Sequence, residues 1–167
     1  MSDTMSSARR GARDQRRLVA VERAGYLALH ADDPVAAARF AAHHLGLAHV
    51  HTDADGRTYL AAHGPDPYSL VYSPGPHGQV DHFSYLVRDL DALERAAQAL
   101  EDAGAGVERI DRSQLWRGQP AVRVTSPAGH VVQLTVGVHV PVPVAAQTAS
   151  PAAEAIAPLA LDHIAPY

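Results

Sequence analysis

Two aspartate–histidine pairs are the residues of this chain best suited to chemistry. Asp81-His82 leads into an apolar segment in the middle of the chain, and Asp162-His163 leads into a similar but shorter segment near its end. A neutral imidazole is a common ligand of transition metals. His82 and His163 are therefore candidate metal ligands. For each of them, an ordinary structural histidine is the competing interpretation.

The composition restricts the chemistry that these histidines could support. The chain of 167 residues contains no cysteine, which excludes disulfides, thiolate catalysis and cysteine-ligated zinc or iron–sulfur sites. Its 11 histidines are the plentiful transition-metal ligands that remain. All 14 basic residues are arginine, and the net charge of -4 gives no basic footprint for nucleic acid. We therefore expect no nucleic-acid partner.

The ends of the sequence favour a cytoplasmic protein without a membrane partner. Residues 1–17 contain five arginines among serines but lack the apolar stretch of a secretory signal. We expect residues 1–22 to form a disordered basic tail. The longest apolar region, 131–146, is interrupted by Gln133, His139 and two prolines and is unsuited to spanning a bilayer.

The ordered part begins with a strand followed by a helix. Residues 26–30 form a short apolar segment suited to a strand. Asp33 can cap a helix and Pro34 suits its first turn, so we expect a helix over 35–45. Gly46 is a natural C-terminal stop for that helix. The segments 47–52, 57–62 and 68–73 are predicted to be three strands, the first two flanking a turn at 55–56.

The same order of elements then recurs. We expect a strand over 82–87, a helix capped by Asp89, and strands over 107–110, 121–125 and 131–136. The offset between the two halves is 56 residues. The buried stripe of the second helix is predicted to contain Leu90, Leu93, Ala97 and Leu100. The fold class is therefore α+β, with two tandem strand-helix-three-strand (βαβββ) units, 24–75 and 80–138, that form paired curved mixed sheets around a cleft.

These motifs resemble the vicinal oxygen chelate superfamily, which includes glyoxalase I, bleomycin-resistance proteins and the extradiol dioxygenases. The resemblance rests on Asp33-Pro34, on Leu45-Gly46-Leu47, on the Asp81-His82 start of the second unit, and on residues 126–134 at its close. A Pro- and Ala-rich linker, 139–158, then precedes residues 159–167, which resemble the start of a truncated second domain. The whole is similar to the N-terminal domain of a type I extradiol (catechol 2,3-type) dioxygenase and the beginning of its C-terminal domain.

The resemblance implies which positions to examine for a metal. In the superfamily, ligands come from the first and last strands of a unit, which here are Tyr26, His82 and Gln133. A glutamine brings no charge to offset a metal ion, so the domain 23–138 is expected to be non-catalytic. His163 falls on the first of the two-histidine, one-glutamate iron(II) ligands of the C-terminal domain. Fe(II) is accordingly expected only in a full-length, two-domain form.

The function that the resemblance implies is a part of an iron(II)-dependent extradiol ring-cleaving dioxygenase. Such an oxidoreductase acts on a catechol-type aromatic in bacterial aromatic catabolism. We expect the chain by itself to be inactive and to contain no catalytic residue, and its substrate-binding residues are unknown. Self-association into a homo-oligomer is left open. Two alternatives remain: a metal-free, bleomycin-resistance-like module that binds a small molecule in the cleft, and a purely structural or interaction domain.

Three other polar or aromatic features allow two interpretations each. His49 and His51 lie two apart on a predicted strand and so on one face, which suits either a metal chelate or a solvated polar surface. Asp53 and Asp55 are more typical of a turn than of a catalytic carboxylate pair. Trp116 lies in a predicted loop that either folds over the cleft or covers an edge of the core.

Overall fold

The computed structural model describes residues 21–111, 116–117 and 119–137. The linker 139–158 and the segment 159–167, with His163, lie outside the described residues. Of the predicted tail, only residues 21–22 are described. Within the described part, the predicted order of strands and helices is confirmed. The elements are β1 (Val21–Ala31), α1 (Pro34–Leu45), β2 (Ala48–Thr52), β3 (Thr58–Ala61), β4 (Leu70–Pro74), β5 (Val80–Val87), α2 (Leu90–Asp102), β6 (Val107–Ile110), β7 (Ala121–Thr125) and β8 (Val131–Val136).

Both helices begin at the aspartates that the sequence predicts. The Asp33 carboxylate accepts a hydrogen bond from the backbone N–H of Ala36 at 2.9 Å, and the Asp89 carboxylate accepts one from Ala92 at 2.7 Å. Each bond satisfies one of the N–H groups that a helix start leaves without a partner. α1 ends at Gly46, whose φ of 68° lies in the left-handed region that glycine adopts without strain.

The predicted buried stripe of α2 is wrong at Leu90. This side chain is 56% exposed, whereas Leu93 and Ala97 are buried and Leu100 is partly buried against the same core. At about 100° per residue, Leu90 lies roughly 90° around the helix axis from the centre of the buried face, which Ala92 and Ala96 complete. The spacing of apolar residues at intervals of three and four therefore does not by itself locate the centre of the buried face of α2.

The strands form one continuous eight-stranded sheet, in the order β2-β3-β4-β1-β5-β8-β7-β6. The two units are joined by antiparallel pairing of their first strands, with Leu27 opposite Phe83 and Ala28 opposite His82. Within each unit, the first and last strands are parallel neighbours: β1 pairs with β4, and β5 pairs with β8. The mixed sheet and the two helices confirm the α+β architecture. The pairing of β1 with β5 brings the two first-strand positions together.

The two faces of the sheet carry different cores. α1 packs on Leu60 and α2 packs on Leu134, with further small apolar residues around each. Side chains alternate across a strand, so Tyr59 and Gln133, one residue away from these two, point to the opposite face. A third cluster, Tyr26, Ala28, Tyr59 and Val71, lies on that face. The face turned away from the helices is therefore where the first and last strands of both units can present polar side chains together.

Neither helix in the described part of the chain has the length and apolar character needed to cross a bilayer.

Candidate functional site

Three residues from the two units converge on the sheet face opposite the helices. The Tyr26 hydroxyl lies 2.9 Å from His82 Nε2 and 2.6 Å from Gln133 Nε2. All three side chains are buried, with exposed fractions of 4% for Tyr26, 4% for His82 and 0% for Gln133. These are the positions that the sequence repeat aligned. The structure brings them into direct contact.

The three residues are part of a longer chain of hydrogen bonds. Arg123 Nε donates to Gln133 Oε1 at 2.9 Å, and the Gln133 amide donates to the Tyr26 hydroxyl. The best-satisfied arrangement has the Tyr26 O–H donating to His82 Nε2, and His82 Nδ1–H donating to Asp81 Oδ1 at 3.2 Å. This tautomer is assigned from the network, because the anionic carboxylate is the strongest acceptor near the ring.

The electrostatics agree with this assignment. Burial raises the pKa of Tyr26 to about 12, so its hydroxyl stays protonated and able to donate. Burial lowers the pKa of His82, which keeps the imidazole neutral near pH 7. The hydrogen bond from His82 lowers the pKa of Asp81 to about 2, so its carboxylate stays ionised. The network thus joins an arginine cation at one end to a carboxylate at the other through three neutral groups.

Asp81 is anchored on its other side. The Ser73 hydroxyl donates to Asp81 Oδ2 at 3.2 Å, which ties the carboxylate to the last strand of the first unit. Arg123 Nη2 also lies 3.3 Å from His82 Nδ1. When Nδ1 carries the proton for Asp81, this nitrogen cannot accept from arginine as well. The Nη groups of Arg123 are then left without a side-chain acceptor among the described residues.

The residues at this point do not fit an iron(II) centre. A phenol, an imidazole and an amide offer one good ligand in three, whereas iron(II) in such sites takes two histidines and a carboxylate. The described residues contain no group of three or more histidines, cysteines, aspartates or glutamates that could hold a metal ion. The lone pair of His82 Nε2, which a metal would need, accepts the Tyr26 proton instead. No reaction step through iron can therefore be derived from these residues.

Trp116 covers one side of the network. Its ring stacks on His51 at 4.8 Å between ring centroids and lies 5.4 Å from Tyr59 and 5.7 Å from Tyr68. Tyr68 in turn contacts the Tyr26 ring edge-on at 4.8 Å. A residue between the sixth and seventh strands thus packs on aromatic residues of the first unit. Trp116 is partly buried against the core cluster of Tyr26, Ala28, Tyr59 and Val71, which agrees with the interpretation in which it covers an edge of the core.

The prediction that His49 and His51 share a face is wrong. The pairing of β2 with β3 shifts register between them, so that His49 is opposite Leu60 and His51 is opposite Tyr59. A bulge of this kind turns the second side chain away from the first. His49 bonds to Thr52 at 3.0 Å, while His51 stacks under Trp116.

The aspartates of the β2–β3 connection shape the turn, as predicted. Asp53 Oδ1 accepts from the backbone N–H groups of Asp55 and Arg57, at 3.1 and 2.9 Å. Asp53 Oδ2 accepts from the Tyr59 hydroxyl at 3.1 Å. Arg57 then pairs with Asp55 at 2.8 Å. The two carboxylates are therefore committed to the turn and to one arginine.

On its other side, the network borders a cavity of about 380 Å³. This volume lies within the range of small-molecule sites, roughly 300–1,000 Å³. Its lining comes from both units and consists of Tyr26, His30, Asp55, Arg57, Tyr59, Val71, Ser73, Pro74, Asp81, His82, Ile110 and Arg123. The sequence analysis did not single out Arg57 or Arg123. The sequence does indicate which face Arg123 lies on. It stands between Val122 and Val124 on a predicted strand, and side chains alternate across a strand, so Arg123 points to the face opposite its apolar neighbours.

Comparisons with known proteins show what the chain resembles. No protein-family model matches the chain. It is 33% identical over 91 residues to metapyrocatechase from Pseudomonas sp. (strain CF600), an alignment that covers 54% of this chain and 30% of that enzyme. Its structure is similar to that of the 2,3-dioxygenase LapB from Pseudomonas sp. KL28, with a TM-score of 0.74 and 25% identity over 87% of this chain and 53% of LapB.

A further structural match is homoprotocatechuate 2,3-dioxygenase from Brevibacterium fuscum, solved in complex with 3,4-dihydroxyphenylacetate. The TM-score is 0.65 and the identity is 23%, over 74% of this chain and 39% of that chain. The predicted resemblance to extradiol dioxygenases is confirmed, and the chain has their vicinal oxygen chelate-type fold. It spans about half the length of LapB and less of the other two proteins.

Proposed function

We propose that this chain is the N-terminal, non-catalytic part of an iron(II)-dependent extradiol ring-cleaving dioxygenase that acts on a catechol-type aromatic. Its place would be bacterial aromatic catabolism in the cytoplasm, either as a single protein or as a homo-oligomer. The similarity to dioxygenases over about half the length of LapB supports this proposal. In this arrangement, His163 is the first iron ligand of a second domain, and the remaining ligands belong to that domain.

The single observation that carries the non-catalytic role is the hydrogen-bond network itself. Tyr26 and Gln133 occupy the first-strand and last-strand positions at which a metal site of this fold would need charged or imidazole ligands. The Gln133 amide donates to the Tyr26 hydroxyl, and that hydroxyl bonds to His82 Nε2. A buried, satisfied network of this kind stabilises one arrangement of the core and leaves no open coordination position. The domain then serves as a scaffold on which a catalytic domain is built.

The test is the intact mass of the protein from its native cell, captured with an antibody to residues 24–138. The present chain has a mass of 17.7 kDa. A mass of roughly twice that value would support a second domain of ordinary size following the linker. A native mass of 17.7 kDa would contradict the two-domain proposal.

Metal analysis separates the proposal from a catalytic role for this chain. Purified residues 1–167, loaded with Fe(II) under anaerobic conditions, are expected to retain less than one equivalent after desalting and to leave catechol uncleaved. Stoichiometric iron together with ring cleavage would show that the described domain, or the segment with His163, completes an active centre alone. The matched control is the His82→Gln variant, which removes the one good ligand of the network.

A metal-free binding module is the second candidate, and the cavity of about 380 Å³ favours it. In that case, binding of the ligand is the function of the chain, and the hydrogen-bond network lines one side of the binding site. A ligand that binds only the folded state raises the melting temperature, and the rise grows with the logarithm of the ligand concentration once that concentration exceeds Kd. A concentration-dependent rise with a small aromatic, in a chain whose native mass is 17.7 kDa, would favour this candidate over the dioxygenase part.

A further inference from the structure

The cavity beside the network contains a cation that has no acidic partner within ion-pair distance. Among the described residues, every ion pair involves other arginines or His82, and none involves Arg123. Its Nε is bonded to the neutral amide of Gln133, and its Nη2 faces the neutral ring of His82. A half-buried guanidinium whose hydrogen-bond partners are neutral keeps much of its ability to bind an anion.

The carboxylates that share the cavity are already engaged. Arg57 pairs with Asp55 at 2.8 Å and with Asp53 at 3.4 Å, so one guanidinium holds both carboxylates of the turn. Asp81 accepts from His82 Nδ1 and from the Ser73 hydroxyl. The Asp81 charge attenuates that of Arg123, since both groups lie close to the same imidazole nitrogen, but their atoms do not form an ion pair. The Nη groups of Arg123 are therefore the strongest unused hydrogen-bond donors on the cavity wall.

Part of the remaining cavity wall is apolar and can contact a flat aromatic ring. Tyr59 and Val71, from the first unit, are each 3% exposed, and Ile110, from the second unit, is 4% exposed. They line the cavity together with the edge of Tyr26. A cavity of about 380 Å³ has room for a single-ring compound. These apolar residues share the cavity with Arg123, while Asp55, Arg57, Ser73 and Asp81 make other parts of the lining polar. An apolar surface in the same cavity as a cation with unused donors is suited to an aromatic acid.

We propose that this cavity is a binding site for a small aromatic carboxylate, with Arg123 as the residue that binds the carboxylate. The carboxylate oxygens accept from the Arg123 Nη groups, and the ring packs between Tyr59, Val71 and Ile110. When the guanidinium turns to the ligand, His82 Nδ1–H still donates to the Asp81 carboxylate, so the bond between these two residues is kept. This proposal stands or falls independently of the dioxygenase proposal.

The first experiment measures the binding of benzoate to the full chain by titration calorimetry, with benzamide and inorganic phosphate as matched probes. Benzamide has the shape of benzoate without its charge, and phosphate has charge without the apolar ring. We expect benzoate to bind most tightly, and Arg123→Gln to weaken it by at least about tenfold, because a hydrogen bond to a charged group is lost. Arg88→Gln is the control, since Arg88 is 79% exposed and pairs only with Glu22 in the described part.

Because Arg123→Gln also removes a bond to Gln133, a second measurement uses the unaltered protein. Addition of benzoate is expected to shift the backbone amide resonances of residues 57–59, 71–73, 81–82, 110 and 123, which line or flank the cavity. The amides of α1 and α2 are on the opposite face and are expected to stay unchanged. Equal affinity for benzamide, equal affinity for phosphate, or shifts confined to the helices would each overturn the proposal.

Discussion

Removal of the Tyr26 hydroxyl tests whether the buried network stabilises the domain. In Tyr26→Phe, the ring remains but His82 Nε2 and the Gln133 amide each lose the partner that lies at 2.9 or 2.6 Å. His82 is 4% exposed and Gln133 is fully buried, so water has no ready access to either group. A buried polar group left without a partner destabilises the fold by about 1–3 kcal/mol.

For two such groups, we expect the free energy of unfolding to fall by about 2–4 kcal/mol. This is less than the full sum, because phenylalanine has no hydroxyl to desolvate on folding. The assay is urea unfolding at pH 7, followed by far-UV circular dichroism and by the fluorescence of Trp116. The urea dependence, or m-value, must be unchanged for the difference to be one of stability.

The matched control is Tyr72→Phe. Tyr72 is half-buried beside α1, and its hydroxyl makes none of the side-chain hydrogen bonds found among the described residues. Its loss is expected to change the free energy of unfolding by less than about 0.5 kcal/mol. If Tyr26→Phe is no more destabilising than Tyr72→Phe, then the network is not a stabilising feature and the argument made from its geometry is refuted.

Three further predictions follow from the same structure. Gly46→Ala forces a side chain into the left-handed region at φ 68° and is expected to lower the free energy of unfolding by about 1 kcal/mol in urea unfolding; no change would contradict the role of Gly46 as a helix stop. The folded-state pKa of Asp81 is about 2, below its ordinary 3.8, so its contribution to stability is complete above pH 3.8 and is lost as the pH falls towards 2. In Asp81→Asn, the free energy of unfolding should depend less on pH below 3.8. The folded-state pKa of His82 is also lowered, so its contribution to stability is lost as the pH falls below 6.5, and this loss should remain in the variant. The double variant Tyr26→His, Gln133→Glu places two metal ligands beside His82. We expect it to bind about one Co²⁺ per chain, measured by visible absorption. Binding by Gln133→Glu alone, or no binding by the double variant, would contradict the inferred geometry.

Much of the fold was predictable because its signals are local. The caps at Asp33 and Asp89 act on N–H groups three residues away, and Gly46 acts on the helix that it ends. The last three strands of the second unit were predicted with the bounds that the structure has. Leu90 shows where this approach fails, since its place in the stripe depended on how the whole helix is rotated against the sheet.

The candidate site was predicted only in part. The repeat aligned Tyr26 with His82 and identified Gln133, and these three side chains are in contact. Arg123 was missed: the alternation of Val122, Arg123 and Val124 shows only which face of the strand it lies on, whereas its bond to Gln133 depends on the pairing of β7 with β8. The bulge between His49 and His51 was also missed, because it depends on the register against the neighbouring strand.

The sequence by itself determined the order of the elements, their caps and the absence of a glutamate at the last-strand position, since each is a property of one residue or of a few neighbours. Only the tertiary structure decided that the first strands of the two units pair, and that Arg123, Gln133, Tyr26, His82 and Asp81 form one directed chain of hydrogen bonds. These contacts join residues up to 107 positions apart. Their geometry depends on strand register and side-chain direction, which the packing of the whole domain sets, and no local pattern of residue types specifies it.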